Sequence, residues 1–256
     1  MAYKQLKLWF DKDLATLLSE KILQVYPDFS KKTFVKTIDE GVIDLELKDR
    51  VAFIAKQLDV AVSLPFAEQA QIWTSILGPE NEEETGMFKD YYWVMPIAKH
   101  VEVYGLNDFV AAMKIIEEIT KRNTGEYAIR PFIEKYPAKT MKQMNKWSKS
   151  KNKHVRRLAS EGGRPKLPWA PKIQEFINDP SPLLPILEAL KDDQSKYVQK
   201  SVANCINDIL KDNEPIAQKL LKSWTKDSTK ERKWIIKHAL RNLLKKEVQW
   251  AQDCIV

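Results

Sequence analysis

The sequence predicts an all-α protein built from antiparallel helix pairs stacked as a solenoid. Only 7 of its 256 residues are glycine, and no sustained Val/Ile/Thr alternation marks strands. Apolar residues recur with a helical period along most of the chain. In the second half, three helix pairs share a signature on their inner members: Val155-x-Arg157, Val198-x-Lys200 and Ile235-x-Lys237, spaced by 43 and 37 residues. Those intervals lie in or near the HEAT-type range. The expected architecture is a HEAT-like right-handed superhelix of helix pairs with a concave basic face. It forms a single domain over 1–256, less regular in 1–135 and regular in 136–256.

Taken in order, Asp13 to Tyr26, Ser30 to Ile38 and Leu45 to Val62 carry 3.6-period apolar positions, and 66–77 continues them. The acidic stretch Pro79–Gly86 reads as an exposed loop. Asn107/Asp108 caps a helix whose face is Phe109, Met113, Ile116 and Thr120. A short helix is expected to start at Glu126. The pairs that follow are about 138–148 with 153–161, 182–191 with 196–211, and 215–224 with 230–246. Gly162–Gly163 is expected to end its helix in left-handed backbone, and Ser181-Pro182 reads as a cap followed by proline at the first helical position.

Charge divides the chain. The net +7 comprises −5 over residues 1–135 (17 Lys and Arg, 22 Asp and Glu) and +12 over 136–256 (25 and 13). The second half is therefore the polyanion-binding candidate, and nucleic acid is the first polyanion to consider. Cys205 and Cys254 make neither a disulfide framework nor a metal site. His100, His154 and His238 lie far apart with no ligand spacing, so no metal and no cofactor are expected. No apolar run approaches the ~20 residues that span a membrane. The N-terminal residues mix acids with bases, unlike a targeting peptide, and a cytoplasmic protein is expected. No P-loop, GxGxxG or G-x-S-x-G motif is present.

On helix 196–211, Val198, Val202, Cys205 and Ile209 form a narrow apolar stripe that must be buried. Tyr197, Ser201, Asn204, Asp208 and Lys211 form a second stripe, matched on the last pair by Trp234, His238, Arg241 and Lys245. Plain solvation explains the lysines of these stripes but not Tyr197 and Trp234, because large aromatics on a polar face usually contact something. Asp208 either pairs with Lys211 or Lys200 or stabilises a developing positive charge. Glu126 either complements a helix dipole or projects into a cleft. The loop Arg164-Pro165-Lys166-Leu167-Pro168-Trp169 suits a grip on phosphates and a distorted base step, or else its tryptophan plugs the core.

Three segments, EYAIRPFIEKYP (126–137), HVRRLASEGGRPKLPWAP (154–171) and SVANCINDILKDNEP (201–215), resemble the AlkC branch of bacterial DNA alkylation-repair glycosylases. These are HEAT-like proteins related to the AlkD branch, and the resemblance runs from about residue 8 to 246. It implies hydrolysis of the N-glycosidic bond of cationic N-alkylated bases such as N3-methyladenine and N3-methylcytosine. The implied partner is double-stranded DNA, bent on a basic face without a deep base-flipping pocket. By motif, Glu126, Trp169 and Asp208 correspond to active-site residues. Arg156, Arg157, Arg164 and Lys166 correspond to DNA-contacting positions, to which the stripe residues Tyr197, Lys200, Asn204, Lys211, Trp234, His238, Arg241 and Lys245 are added. A monomer that releases bases without nicking the strand is expected, lacking the C-terminal β-sandwich domain of some members. The alternatives are a non-catalytic HEAT-repeat DNA-binding or scaffold protein and a protein-binding adaptor.

Overall fold

The computed structural model describes residues 4–85 and 87–255. The first three residues of the N-terminal segment, and Gly86 of the acidic loop, lie outside the described residues. Those described are helical with no strand, and their contacts divide the chain between Pro131 and Phe132 into two compact units. The division falls close to the change of charge at residue 135.

The first unit holds α1 (Lys12–Leu23), α2 (Lys31–Gly41), α3 (Leu47–Ala61), α4 (Phe66–Ile76), α5 (Met87–Tyr91), α6 (Met95–Tyr104) and α7 (Phe109–Thr120). Helix α1 packs on α2, α3 on α6 and α4 on α7, around a core that includes Phe10, Leu18, Ile54, Trp73 and Ile116. Asp108 caps α7 as expected, accepting from the Ala111 N–H at 3.0 Å. The α7 face is buried at Met113, Ile116 and Thr120. Loop residues 79–85 are mostly exposed, but Asn81 is buried and braces the loop by donating to the Thr85 carbonyl at 3.1 Å.

Helix α8 (Arg130–Lys135) spans the division. The second unit contains α9 (Pro137–Trp147), α10 (Lys153–Glu161), α11 (Gln174–Asn178), α12 (Leu184–Leu190), α13 (Lys196–Ile209), α14 (Glu214–Trp224), α15 (Lys230–Ala239), α16 (Arg241–Leu244) and α17 (Gln249–Asp253). The three expected pairs are α9/α10, α12/α13 and α14/α15, and the inner helices stack α10 on α13 and α13 on α15. Each inner helix opens with a side-chain cap. Asn152 accepts from His154 and Val155, Ser195 from Val198, and Thr229 from Arg232. The signature apolar residues Val155, Val198 and Ile235 are wholly buried, which is why the repeat is visible in sequence.

Four local expectations are corrected. Gly162 is right-handed (φ −63°); the adjacent Gly163 is needed for space, since a Cβ there would lie 2.7 Å from Leu183 Cδ2. Ser181-Pro182 begins a 3-10 turn rather than the α-helix, with its N–H capped by Asp179. The last helix divides at Leu240 into α15 and α16. Glu126 sits in a turn four residues before α8, not in its first turn, so the helix-dipole explanation does not hold.

Candidate functional site

In the second unit, α10, α13 and α15 lie side by side, and the second stripe of α13 meets side chains of both neighbours, α10 on one side and α16, the continuation of α15, on the other. The stripe on α13 is internal at Ser201 and Asp208, each 2% exposed, half-buried at Tyr197 and Asn204, and exposed at Lys211. The Ser160 and Ser201 hydroxyls meet at 2.6 Å. Tyr197 stacks edge-on against His154 and lies under the Arg157 guanidinium at 5.0 Å. Asn204 accepts from Arg241 Nη2 at 3.1 Å. On α15, Trp234 stacks on His238 with ring centres 4.7 Å apart, and Lys196 Nζ lies over the indole at 3.4 Å. Burial, then Arg241, Lys200 and Lys196, push the His238 pKa below its ordinary value, which favours a neutral ring.

At the end of this seam sits a buried ionic cluster. Arg164 Nε donates to Asp208 Oδ2 at 2.9 Å, and its Nη1 donates to Glu161 Oε1 at 2.8 Å. Lys211 Nζ donates to Asp208 Oδ1 at 2.9 Å, and Arg157 Nη2 lies 3.4 Å from Glu161 Oε1. Asp208 therefore has the Lys211 partner expected for it, and Arg164 besides. Burial disfavours the Glu161 anion, but Arg157 and Arg164 outweigh it and hold its pKa below the usual value. Glu161 was not singled out in sequence. Its spacing, four residues after Arg157 and three before Arg164, was the available signal.

The loop after α10 is only partly the exposed cationic loop expected. Arg164 is 9% exposed and Leu167 is 4% exposed, whereas Trp169 is 81% exposed. Trp169 also has φ +63°, a left-handed conformation that is a genuine outlier for a bulky side chain. The core-plug reading of Trp169 is thereby excluded.

The other basic candidates separate by their partners. Arg156 grips Asp193 through Nε (2.6 Å) and Nη2 (3.1 Å), and its Nη1 donates to the Ser150 and Lys151 carbonyls. Lys166 donates to Asp212 at 2.7 Å. Lys200, Lys211 and Lys245 are exposed. Glu126 belongs to the first unit, is 9% exposed, and accepts from the Thr124 hydroxyl at 3.0 Å. Among the described residues no cluster of three or more His, Cys, Asp or Glu could hold a metal, and no helix is long and apolar enough to cross a membrane.

An all-helical chain with a buried carboxylate–guanidinium cluster and an exposed, strained tryptophan in one unit can be set beside known proteins. A family profile described as DNA alkylation repair enzyme matches residues 106–243. The chain belongs to this DNA alkylation repair enzyme family. The structure of Pseudomonas fluorescens alkylpurine DNA glycosylase AlkC, bound to DNA containing an abasic site analog, superposes with a TM-score of 0.89 at 32% identity, over 99% of this chain and 69% of that one. Within the family, the chain is thus of the AlkC type. The uncharacterized protein YhaZ of Bacillus subtilis (strain 168) is 39% identical over 94% of this chain. The chain spans 65% of the length of that curated relative.

Proposed function

We propose that this protein is a monofunctional DNA glycosylase. It would hydrolyse the N-glycosidic bond of cationic N-alkylated bases, of the N3-methyladenine and N3-methylcytosine type, in duplex DNA and leave an abasic site. The carrying observation is the loop from Arg164 to Trp169, whose first residue is bonded to Asp208 and whose last stands exposed in strained backbone. Burial would be the ordinary fate of a tryptophan. One held out at a positive φ is accounted for by contact with a widened or unstacked base step.

The chemistry asks little of the protein. An alkylated base carries a positive charge and leaves without being protonated. As the bond between C1′ and the base nitrogen breaks, its electron pair stays with the base and neutralises it. The sugar becomes oxocarbenium-like and needs an anion beside it. Water then adds its oxygen to C1′ and loses a proton to a carboxylate or to solvent. In this reading Asp208 supplies the anion. Its Oδ1 is covered by Lys211, whose side chain is 46% exposed and is free to turn onto a DNA phosphate. Arg164 keeps Oδ2. Glu126 is the second carboxylate, assigned by its EYAIRPF motif. The reaction needs no lysine Schiff base and no cofactor, and a monomer suffices.

A second reading is a DNA-binding repeat protein without chemistry. The observation favouring it is that both Asp208 oxygens are already paired with cations. Base release from methylated duplex DNA separates the two, with wild type beside Asp208→Asn and Glu126→Gln and binding followed on the same samples. The expected result is release of methylated base by wild type and a loss of about 10²–10³ in rate for Asp208→Asn, with binding kept. A wild-type protein that binds DNA and frees nothing establishes the second reading.

A further inference from the structure

We infer that Glu161 is a positioning residue for Asp208, acting through Arg164; the inference rests on the glycosylase reading above. Glu161 closes α10 and is 6% exposed. It contacts Arg164 at 2.8 Å and Arg157 at 3.4 Å, both through Oε1. One guanidinium thus bridges two carboxylates from successive repeats, Glu161 on α10 and Asp208 on α13.

A fixed anion beside a phosphate-binding seam repels the ligand, so its presence there calls for a compensating role. Arginine is the side chain best matched to phosphate, because its planar fork engages two oxygens at once. When a duplex approaches, its phosphates compete with Asp208 for Arg164. Were Arg164 to turn to the backbone, Asp208 would be held only by Lys211, a point charge on a flexible, half-exposed stem. Glu161 opposes that exchange. It engages a second edge of the guanidinium from inside the fold and keeps Nε on Asp208. Arg164 is then chiefly a carboxylate holder, and the phosphate grip falls to Lys211, Lys200 and the exposed end of the seam. Placement matters at this level, since about 1 Å of misplacement costs on the order of 10²-fold in rate.

The test uses the full chain and single-turnover release of methylated bases from methylated duplex DNA, with affinity for undamaged duplex measured alongside. Glu161→Gln is expected to stay folded by circular dichroism and to bind undamaged duplex as tightly as wild type or more so, while release falls about 10²-fold. Arg164→Lys keeps the charge but cannot bridge, and it should lose release to a similar degree. Adding Glu161→Gln to Arg164→Lys should then cost nothing further, because the first acts through the second. Glu161→Asp restores the anion one methylene short and is expected to recover part of the rate; it also stands in if Glu161→Gln does not fold. The inference is overturned if Glu161→Gln releases base at the wild-type rate. It is equally overturned if its loss adds in full to that of Arg164→Lys, or if release falls only in step with binding. A wild-type protein that frees no base instead overturns the glycosylase reading, and the role of Glu161 with it, and that outcome is visible without any variant.

Discussion

Trp169 and Asp208 belong to one unit and sit in opposite environments, the indole 81% exposed and the carboxylate 2% exposed. The tryptophan adds little apolar burial, so removing it should cost the fold little. Its positive φ costs the native state on the order of 1–3 kcal/mol, and alanine at this position keeps the backbone while deleting the ring. Trp169→Ala is expected to leave the thermal midpoint near that of wild type while base release falls at least tenfold. A cooperative early melt would return the indole to a structural role. Arg156 is the converse case, a guanidinium closed on Asp193 and two carbonyls. Its adjacency to Arg157 in sequence made the two look alike. A helix rotates neighbours by about 100°, so Arg156 and Arg157 address different surroundings.

At the scale of elements, the α10–α13 seam combines an apolar layer with an ionic one. The apolar layer (Val155, Leu158, Val198, Val202) was legible, because buried hydrophobic residues must follow the helical period. The ionic layer was legible only in part: Asp208–Lys211 and Glu161–Arg164 pair within a turn, but the Arg164–Asp208 bond that joins them spans 44 residues of sequence. The cluster has a consequence in acid. Glu161 is held below its usual pKa of 4.5, so the stabilisation it brings is complete above about 4.5 and is lost as pH falls through the lower folded value. Thermal melts taken from pH 7 down to pH 3 should show wild type losing a component of stability that Glu161→Gln lacks throughout. Parallel curves for the two proteins would show that the cluster contributes no net stability, as buried ion pairs sometimes do not.

At the scale of the molecule, the proposed function predicts that the uneven charge directs an encounter with DNA. With +12 over residues 136–256 and −5 over 1–135, log K for duplex binding should fall linearly with log salt, by about 0.9 for each phosphate contact. Titrations at several salt concentrations measure the slope, and a flat response would remove nucleic acid from the proposal. By itself, the sequence determined the helical class, the pairing of helices in the second half, the family and the unequal charge. The class, the pairing and the charge are properties of periodicity and composition, and the family was marked by the resemblance of three motif segments; all survive without knowledge of contacts. Tertiary structure alone decided that Trp169 is outside the core, that Asp208 is buried between Arg164 and Lys211, that Arg156 is engaged by Asp193, and that Glu161 belongs to the cluster. Each depends on which side chain from a distant repeat fills the space beside it. Burial and long-range pairing are set by those neighbours, and sequence spacing records only the pairs within a turn, such as Asp208 with Lys211.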